Sequence, residues 1–127
     1  MKFDLDNLNP GTWFDLDGGG RICLHSLSTE EAIAISKKTT KPKVEYKNNQ
    51  RFAYEEVDED KQFSLMWDAV IVDWEGVETA DRKPLECTTD NKLKLMRKSP
   101  VFARTVRGFL EKLTELEAAD KEEEVKN

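Results

Sequence analysis

In the first part of the chain apolar and polar side chains tend to alternate, and further on the apolar ones recur at steps of three and four. Thr12 to Leu16 (Thr-Trp-Phe-Asp-Leu) has the period of a strand, and Gly18, Gly19 and Gly20 follow it with the permissive dihedrals of a reversal. Arg21 to Leu27 then supplies a partner strand, with Ile22 and Leu24 on one face and Cys23, His25 and Leu27 on the other. The pattern predicts a β-hairpin. A glycine-rich run can also cradle phosphate, but it does so between a strand and a helix and with a following Lys-Ser/Thr, which is missing here. Ser28-Thr-Glu-Glu31 is a capping box, and it opens a short helix near residues 29–38 carrying Ala32, Ile33 and Ile35. Lys41 to Val57 alternates again around Asn48-Asn49, which predicts a second hairpin with one solvated face; Val44 with Tyr46 and Phe52 with Tyr54 are its apolar pairs.

From Asp58 onward the period changes. Asp58 caps a helix whose stripe, Phe63, Met66, Trp67, Val70, Ile71 and Trp74, is expected to run until Gly76 stops it. Residues 77–87 read as a loop or small ribbon. Thr88 or Thr89 caps a short helix with Leu93, Leu95 and Met96. Ser99-Pro100 starts a last helix bearing Val101, Phe102, Val106, Phe109, Leu110, Leu113 and Leu116. Strands first and helices afterwards predict an α+β fold. The expected architecture has N-terminal hairpins forming a small antiparallel sheet, followed by a helical part of about three helices. Residues 1–119 are expected to form a single α+β domain, with strands within 12–57 and helices within 59–118. Residues 120–127 (Asp-Lys-Glu-Glu-Glu-Val-Lys-Asn) are read as a charged flexible tail.

Composition narrows the function. A chain of 127 residues closes a modest core without a disulfide or metal staple. With 36% charged residues, much of it must be solvated surface, and a net charge of -6 repels a phosphate backbone. Nucleic acid is therefore not an expected partner. Two local basic groups, Lys37, Lys38, Lys41 and Lys43, and Lys92, Lys94, Arg97, Lys98, Arg104 and Arg107, read as ordinary solvated faces. No stretch approaches the ~18 apolar residues of a membrane span, and the N-terminus lacks a signal-peptide run. Cys23 and Cys87 match no zinc or redox spacing and are expected to be free thiols in a reducing cytoplasm.

Candidate chemistry is sparse. His25, the one histidine, shares a strand face with Cys23, but a nucleophilic pair also needs a lowered thiol pKa and an oxyanion site. The acidic run Glu55-Glu56-Val57-Asp58-Glu59-Asp60 lacks the spacing and central glycine of a calcium loop and is explained by helix capping. No catalytic, metal-binding or cofactor-binding residue is assigned, no cofactor is expected, and the protein is read as a non-enzyme. The candidate protein-binding residues are Trp67, Trp74, Phe102, Val106, Phe109 and Leu113, on the two longest amphipathic stripes. The competing reading is that these stripes pack on each other.

One segment carries a resemblance. It reads Trp74-Glu-Gly76-Val77, then Lys83-Pro84-Leu85-Glu-Cys87-Thr88, then Asn91-Lys92, then Pro100-Val-Phe102. Together with the Gly-Thr-Trp-Phe strand and the Ser-x-x-Glu helix start, it resembles the phage and prophage tail assembly chaperones of long-tailed phages. The resemblance implies a non-catalytic protein of the bacterial host cytoplasm. Its partners would be the tape-measure protein and/or tail-tube subunits, bound while the tail is assembled. It also implies that self-association, here through the C-terminal apolar stripe, can accompany the task. The alternative is another phage structural or adaptor protein, a head–tail or regulatory interaction module, and an enzyme with an unrecognised site ranks below both.

Overall fold

Trp13 and Phe14 enter the first strand, β1 (Thr12–Asp15), and the glycine run returns the chain into β2 (Arg21–Leu24). The two pair antiparallel with Phe14 opposite Ile22. A later strand, β5 (Ile71–Glu75), pairs antiparallel with the other edge of β2, which gives a three-stranded sheet in the order β1-β2-β5. The sheet and the helices are described by a computed structural model that covers the backbone of residues 1–126 and the side chains of residues 1–119. The chain divides into two compact units, Met1–Ser26 with Trp67–Asn127, and Leu27–Met66.

The first unit has the sheet on one side and two helices, α3 (Thr89–Lys98) and α4 (Pro100–Lys126), packed on each other. Opposed residues of an antiparallel sheet share a face, so Phe14, Ile22 and Trp74 project together. α4 covers that face: Phe109 stacks on Phe14 with ring centroids 4.7 Å apart, and Phe102 meets Trp74 edge-on at 6.0 Å. Ile22, Leu24, Ile71 and Val106 are fully buried between these layers. Each such side chain contributes roughly 1.5–3 kcal/mol by leaving water.

Gly20 and Gly76 occupy positions at the end of this sheet that no side chain could share. Both have positive φ, and a Cβ on Gly20 would lie 2.7 Å from the Gly76 carbonyl oxygen. The third glycine of the run is therefore fixed by a close backbone approach as well as by the turn.

The second unit begins with α1 (Thr29–Thr39), whose capping box forms as expected: the Ser28 hydroxyl accepts from the Glu31 amide and the Glu31 carboxylate accepts from the Ser28 amide. α1 runs directly into β3 (Thr40–Lys47), which pairs antiparallel with β4 (Gln50–Val57) as a separate two-stranded ribbon. Asn48 and Asn49 both take positive φ, as the two-residue turn requires. Thr39 is buried at the base of the ribbon, where its carbonyl accepts the Asp58 amide at 2.7 Å. Asp58 then caps α2 (Glu59–Val70) through its carboxylate and the Lys61 amide.

Four expectations are corrected. α2 ends at Val70, and Ile71–Glu75, expected as its last turn, is β5. The Val-Ile-Val run fits either period, and pairing with the exposed edge of β2 decides for strand. Gly76 consequently ends a strand. β2 stops at Leu24, so His25 and Leu27 lie beyond it. A bulge between Cys23 and Leu24 leaves Val72 unpaired and exposed. Both faces of the β3–β4 ribbon are exposed, where one solvated face was expected. The last helix is not confined to residues up to 118, since α4 extends to Lys126. The backbone of residues 120–126, expected as part of a flexible tail, continues α4; their side chains and all of Asn127 lie outside the described residues. Residues 77–87 form the small ribbon, closed by the Glu78–Pro84 bridge. Thr88 and Ser99 cap α3 and α4 through the amides of Asn91 and Phe102.

Candidate functional site

The six residues singled out by their periodicity all belong to the first unit, and four of them are buried. Val106 has no exposure, and Trp67, Trp74 and Leu113 are 4%, 5% and 6% exposed. Trp74 is further fixed by its indole N–H, which donates to the Leu85 carbonyl at 2.7 Å. Phe102 and Phe109, half-buried, face Trp74 and Phe14. The helical stripes thus meet the sheet and each other, and these six side chains build the core of the unit.

The groups with chemical potential are also tied down. The Cys23 thiol is buried and lies 3.7 Å from the Pro10 carbonyl. Burial pushes its pKa up, and nearby Asp73 adds to the shift. Burial likewise pushes up the half-buried Cys87 thiol. Neither cysteine is held as the thiolate that nucleophilic chemistry uses. His25 Nδ1 is 3.0 Å from the Asn9 carbonyl, which can only accept, so Nδ1 carries the proton. The Asn9 side-chain amide donates to the Ser26 carbonyl. Cys23, His25 and Ser26 thereby hold the Asn9–Pro10 segment against β2. Among the described residues no group of three or more His, Cys, Asp or Glu side chains is placed to hold a metal ion. Nor, among them, is any helix long and apolar enough to cross a membrane.

One polar cluster escaped the sequence. Lys92, expected on a solvated basic face, is only 8% exposed. Its ammonium donates to the Asp68 carbonyl at 3.0 Å and to the Asp68 carboxylate at 3.2 Å. The Thr89 hydroxyl donates to the same carboxylate. The cluster joins the start of α3 to the end of α2. Lysine in a charged stretch gives no periodic sign that one member is buried. Another member of the same basic group, Arg107, lies over the Trp67 ring, with its guanidinium 6.0 Å from the centroid.

Exposed apolar side chains occur in both units. In the second unit Val44, Tyr46, Phe52, Tyr54 and Val57 are all more than two-fifths exposed, and Tyr46 reaches 72%. The register separates them. Val44, Tyr46, Ala53 and Val57 share one face with Pro42 and Thr40. Phe52 and Tyr54 share the other with Lys41, Lys43, Glu45 and Lys47, where Lys43 pairs with Glu56 at 3.5 Å and the Tyr54 hydroxyl donates to Glu45. In the same unit a cleft of about 400 Å³ opens between α1 and the start of α2, lined by Leu27, Ala32, Ile35, Phe63 and Met66. Its walls are mostly apolar, with Glu59 and Gln62 among the polar lining, a composition suited to the apolar side of a peptide. A wider recess of about 630 Å³ at the ribbon base is charged with both signs, from Lys41, Lys43, Glu56, Asp58, Glu59 and Lys61. In the first unit the segment before β1 exposes Met1, Phe3, Leu5 and Leu8, and α4 exposes Val101 and Leu116.

Periodicity located the apolar stripes, and the fold buries four of the six residues singled out on them. The signal that finds the ribbon is the lone hairpin itself: two long strands with no third strand or helical stripe nearby to cover both faces. Among known proteins, the family described as YdaY prophage protein matches the chain over residues 28–127, which takes in α1, the ribbon and everything after it. No curated protein and no solved structure matches.

Proposed function

Because the chain belongs to the YdaY prophage protein family, we propose that it serves its prophage as a non-catalytic tail assembly chaperone. In this reading it binds the tape-measure protein and/or tail-tube subunits in the cytoplasm of the bacterial host. One observation carries the reading: the second unit displays an apolar cleft and an aromatic, uncovered ribbon on a chain whose net charge is -6. A protein that keeps an apolar helix soluble needs that combination, an apolar seat and a charged exterior. The cleft between α1 and α2 is the seat for such a helix, with Phe63 and the flexible Met66 among its apolar lining. The raised thiol pKa values and the tethered histidine support binding over catalysis.

Co-expression with fragments of the tape-measure protein encoded in the same prophage tests the proposal. The expected result is transfer of those fragments to the soluble fraction and their recovery with the chain. Met66→Ser should abolish both without unfolding the protein. Fragments that stay insoluble, or a stoichiometric presence of the chain in purified particles, would reject the chaperone role. The second outcome would favour a structural or adaptor component of the virion.

A further inference from the structure

The β3–β4 ribbon has two free edges, and they are not equivalent. The turn Asn48-Asn49 is closed by Lys47 opposite Gln50, and in a two-residue hairpin of this kind the closing pair exchanges hydrogen bonds. Hydrogen-bonded and open pairs then alternate, so Glu45 with Phe52, Lys43 with Tyr54 and Lys41 with Glu56 bond within the ribbon. The backbone groups of Pro42, Val44 and Tyr46 point outward from β3, and those of Arg51, Ala53 and Glu55 point outward from β4. Pro42 has no N–H, so β3 presents an interrupted edge that is also rich in lysine. β4 presents an intact edge, and all eight of its residues are exposed.

The charges along β4 are also unequal. Glu56 is paired with Lys43 across the ribbon. Arg51 and Glu55 form no ion pair among the described residues, and they flank Ala53 symmetrically on one face. An antiparallel copy of β4 laid along this edge must pair outward residues with outward residues. With Ala53 opposite Ala53 of the second copy, Arg51 falls opposite Glu55 of the second copy, and Glu55 opposite its Arg51. The intervening open pairs, where side chains approach most closely, place Phe52 against Tyr54 of the second copy. Shifting the register by one allowed step in either direction sets Arg51 against Ala53 or Val57 and loses the ion pairs.

We infer that the chain forms a two-fold symmetric dimer through the β4 edge, in the register centred on Ala53, so that two ribbons join as one four-stranded sheet. The occupant of the edge is a second copy because the edge is complementary to itself in charge and in aromatic contact. The interface closes on itself and leaves only the proline-interrupted β3 edges outside. It is independent of the chaperone reading, and it differs from self-association through the C-terminal helix.

Sedimentation velocity of the full chain across the micromolar range, with far-UV circular dichroism of each variant, tests it. The unaltered chain should sediment as a dimer. Ala53→Pro should yield a folded monomer, since the amide it removes points away from β3. Arg51→Glu should weaken the dimer by roughly tenfold or more, because each of two equivalent ion pairs becomes a repulsion. Adding Glu55→Arg to that variant should restore the affinity. If Ala53→Pro loses its folded spectrum, the charge-reversal pair decides. A monomer at every concentration, a dimer indifferent to Ala53→Pro in a folded protein, or a double variant no tighter than Arg51→Glu alone would overturn the inference. Because only the chain itself is present, failure here leaves the tape-measure assay unaffected.

Discussion

The two units of this chain divide the work of an apolar side chain differently. Among the described residues the buried hydrophobic ones, from Ile22 to Leu113, all belong to the unit built from Met1–Ser26 and Trp67–Asn127. Leu27–Met66 contributes to the fully buried set only a threonine, Thr39. Yet that second unit holds Ile33, Val44, Tyr46, Phe52, Tyr54 and Val57 at the surface. A two-stranded ribbon without a covering layer is marginal by itself, so its apolar surface gains little for folding and remains available for association. Among the described residues the first unit buries a hydrophobic core beside apolar side chains it leaves exposed, such as Leu5, Leu8, Val101 and Leu116, whereas the second buries none of its large hydrophobic side chains fully.

That division is broken most directly at Trp74. Trp74→Ala removes a buried ring, its contact with Phe102 and its hydrogen bond to Leu85, and should cost about 3–5 kcal/mol. Chemical denaturation should show the loss, and a cost below that of a surface change would end the assignment of Trp74 to the core. Next in size is Asp68→Ala, which leaves the ammonium of Lys92 nearly buried with only a carbonyl for a partner. A loss of about 1–3 kcal/mol in the same assay is expected. Lys92→Met together with Asp68→Ala should recover part of it, because the uncompensated charge is then gone. Gly20→Ala should cost about 1–3 kcal/mol, combining positive φ with a Cβ pressed against the Gly76 carbonyl. Gly19→Ala, also at positive φ but in open space, should cost less.

The thiol of Cys23 gives a pH-dependent test. Its folded pKa lies above its unfolded value, so the folded state favours the protonated thiol. The associated stability is present below the unfolded pKa and is lost as pH rises through the folded one. Thermal melts above about pH 8.5 should therefore fall, and Cys23→Ala should flatten that part of the profile. The smallest effect on stability is expected on the ribbon. Tyr46→Ser should change the unfolding free energy by less than about 0.5 kcal/mol. A larger loss would mean that the ribbon is held as part of a core, and the contrast between the units would disappear.

Local signals were legible in the sequence because their causes are local. Ser28, Asp58, Thr88 and Ser99 cap helices at the positions their hydroxyl or carboxylate chemistry indicates. Asn48-Asn49 turns the chain because asparagine tolerates the left-handed region. β5 was read as helix because Val70, Ile71 and Trp74 satisfy a helical period, and the partner that settles the matter, β2, is some fifty residues away in sequence. The same distance explains the candidate site. A stripe such as Phe102, Val106, Phe109 and Leu113 has the same pattern whether a sheet or a foreign helix covers it. What distinguishes the two is the position of Phe14 and Trp74, which only the fold supplies. The buried Lys92 was hidden for a related reason: its partner, Asp68, lies on another helix.

The pairing of β2 with β5 also imposes an order in time. β1 and β2 can form their hairpin as soon as both have been synthesised, but the middle strand keeps an open edge until Ile71–Glu75 has emerged as well. Residues 27–66 are made in the interval, and the sheet closes around a loop of that length. At ordinary elongation rates the delay amounts to several seconds, long beside the microseconds a hairpin needs. During that time the Ile22 and Leu24 side of the nascent sheet has neither β5 nor α4 to cover it. The exposed ribbon is thus written into the middle of the chain, and the core of the first unit is finished last.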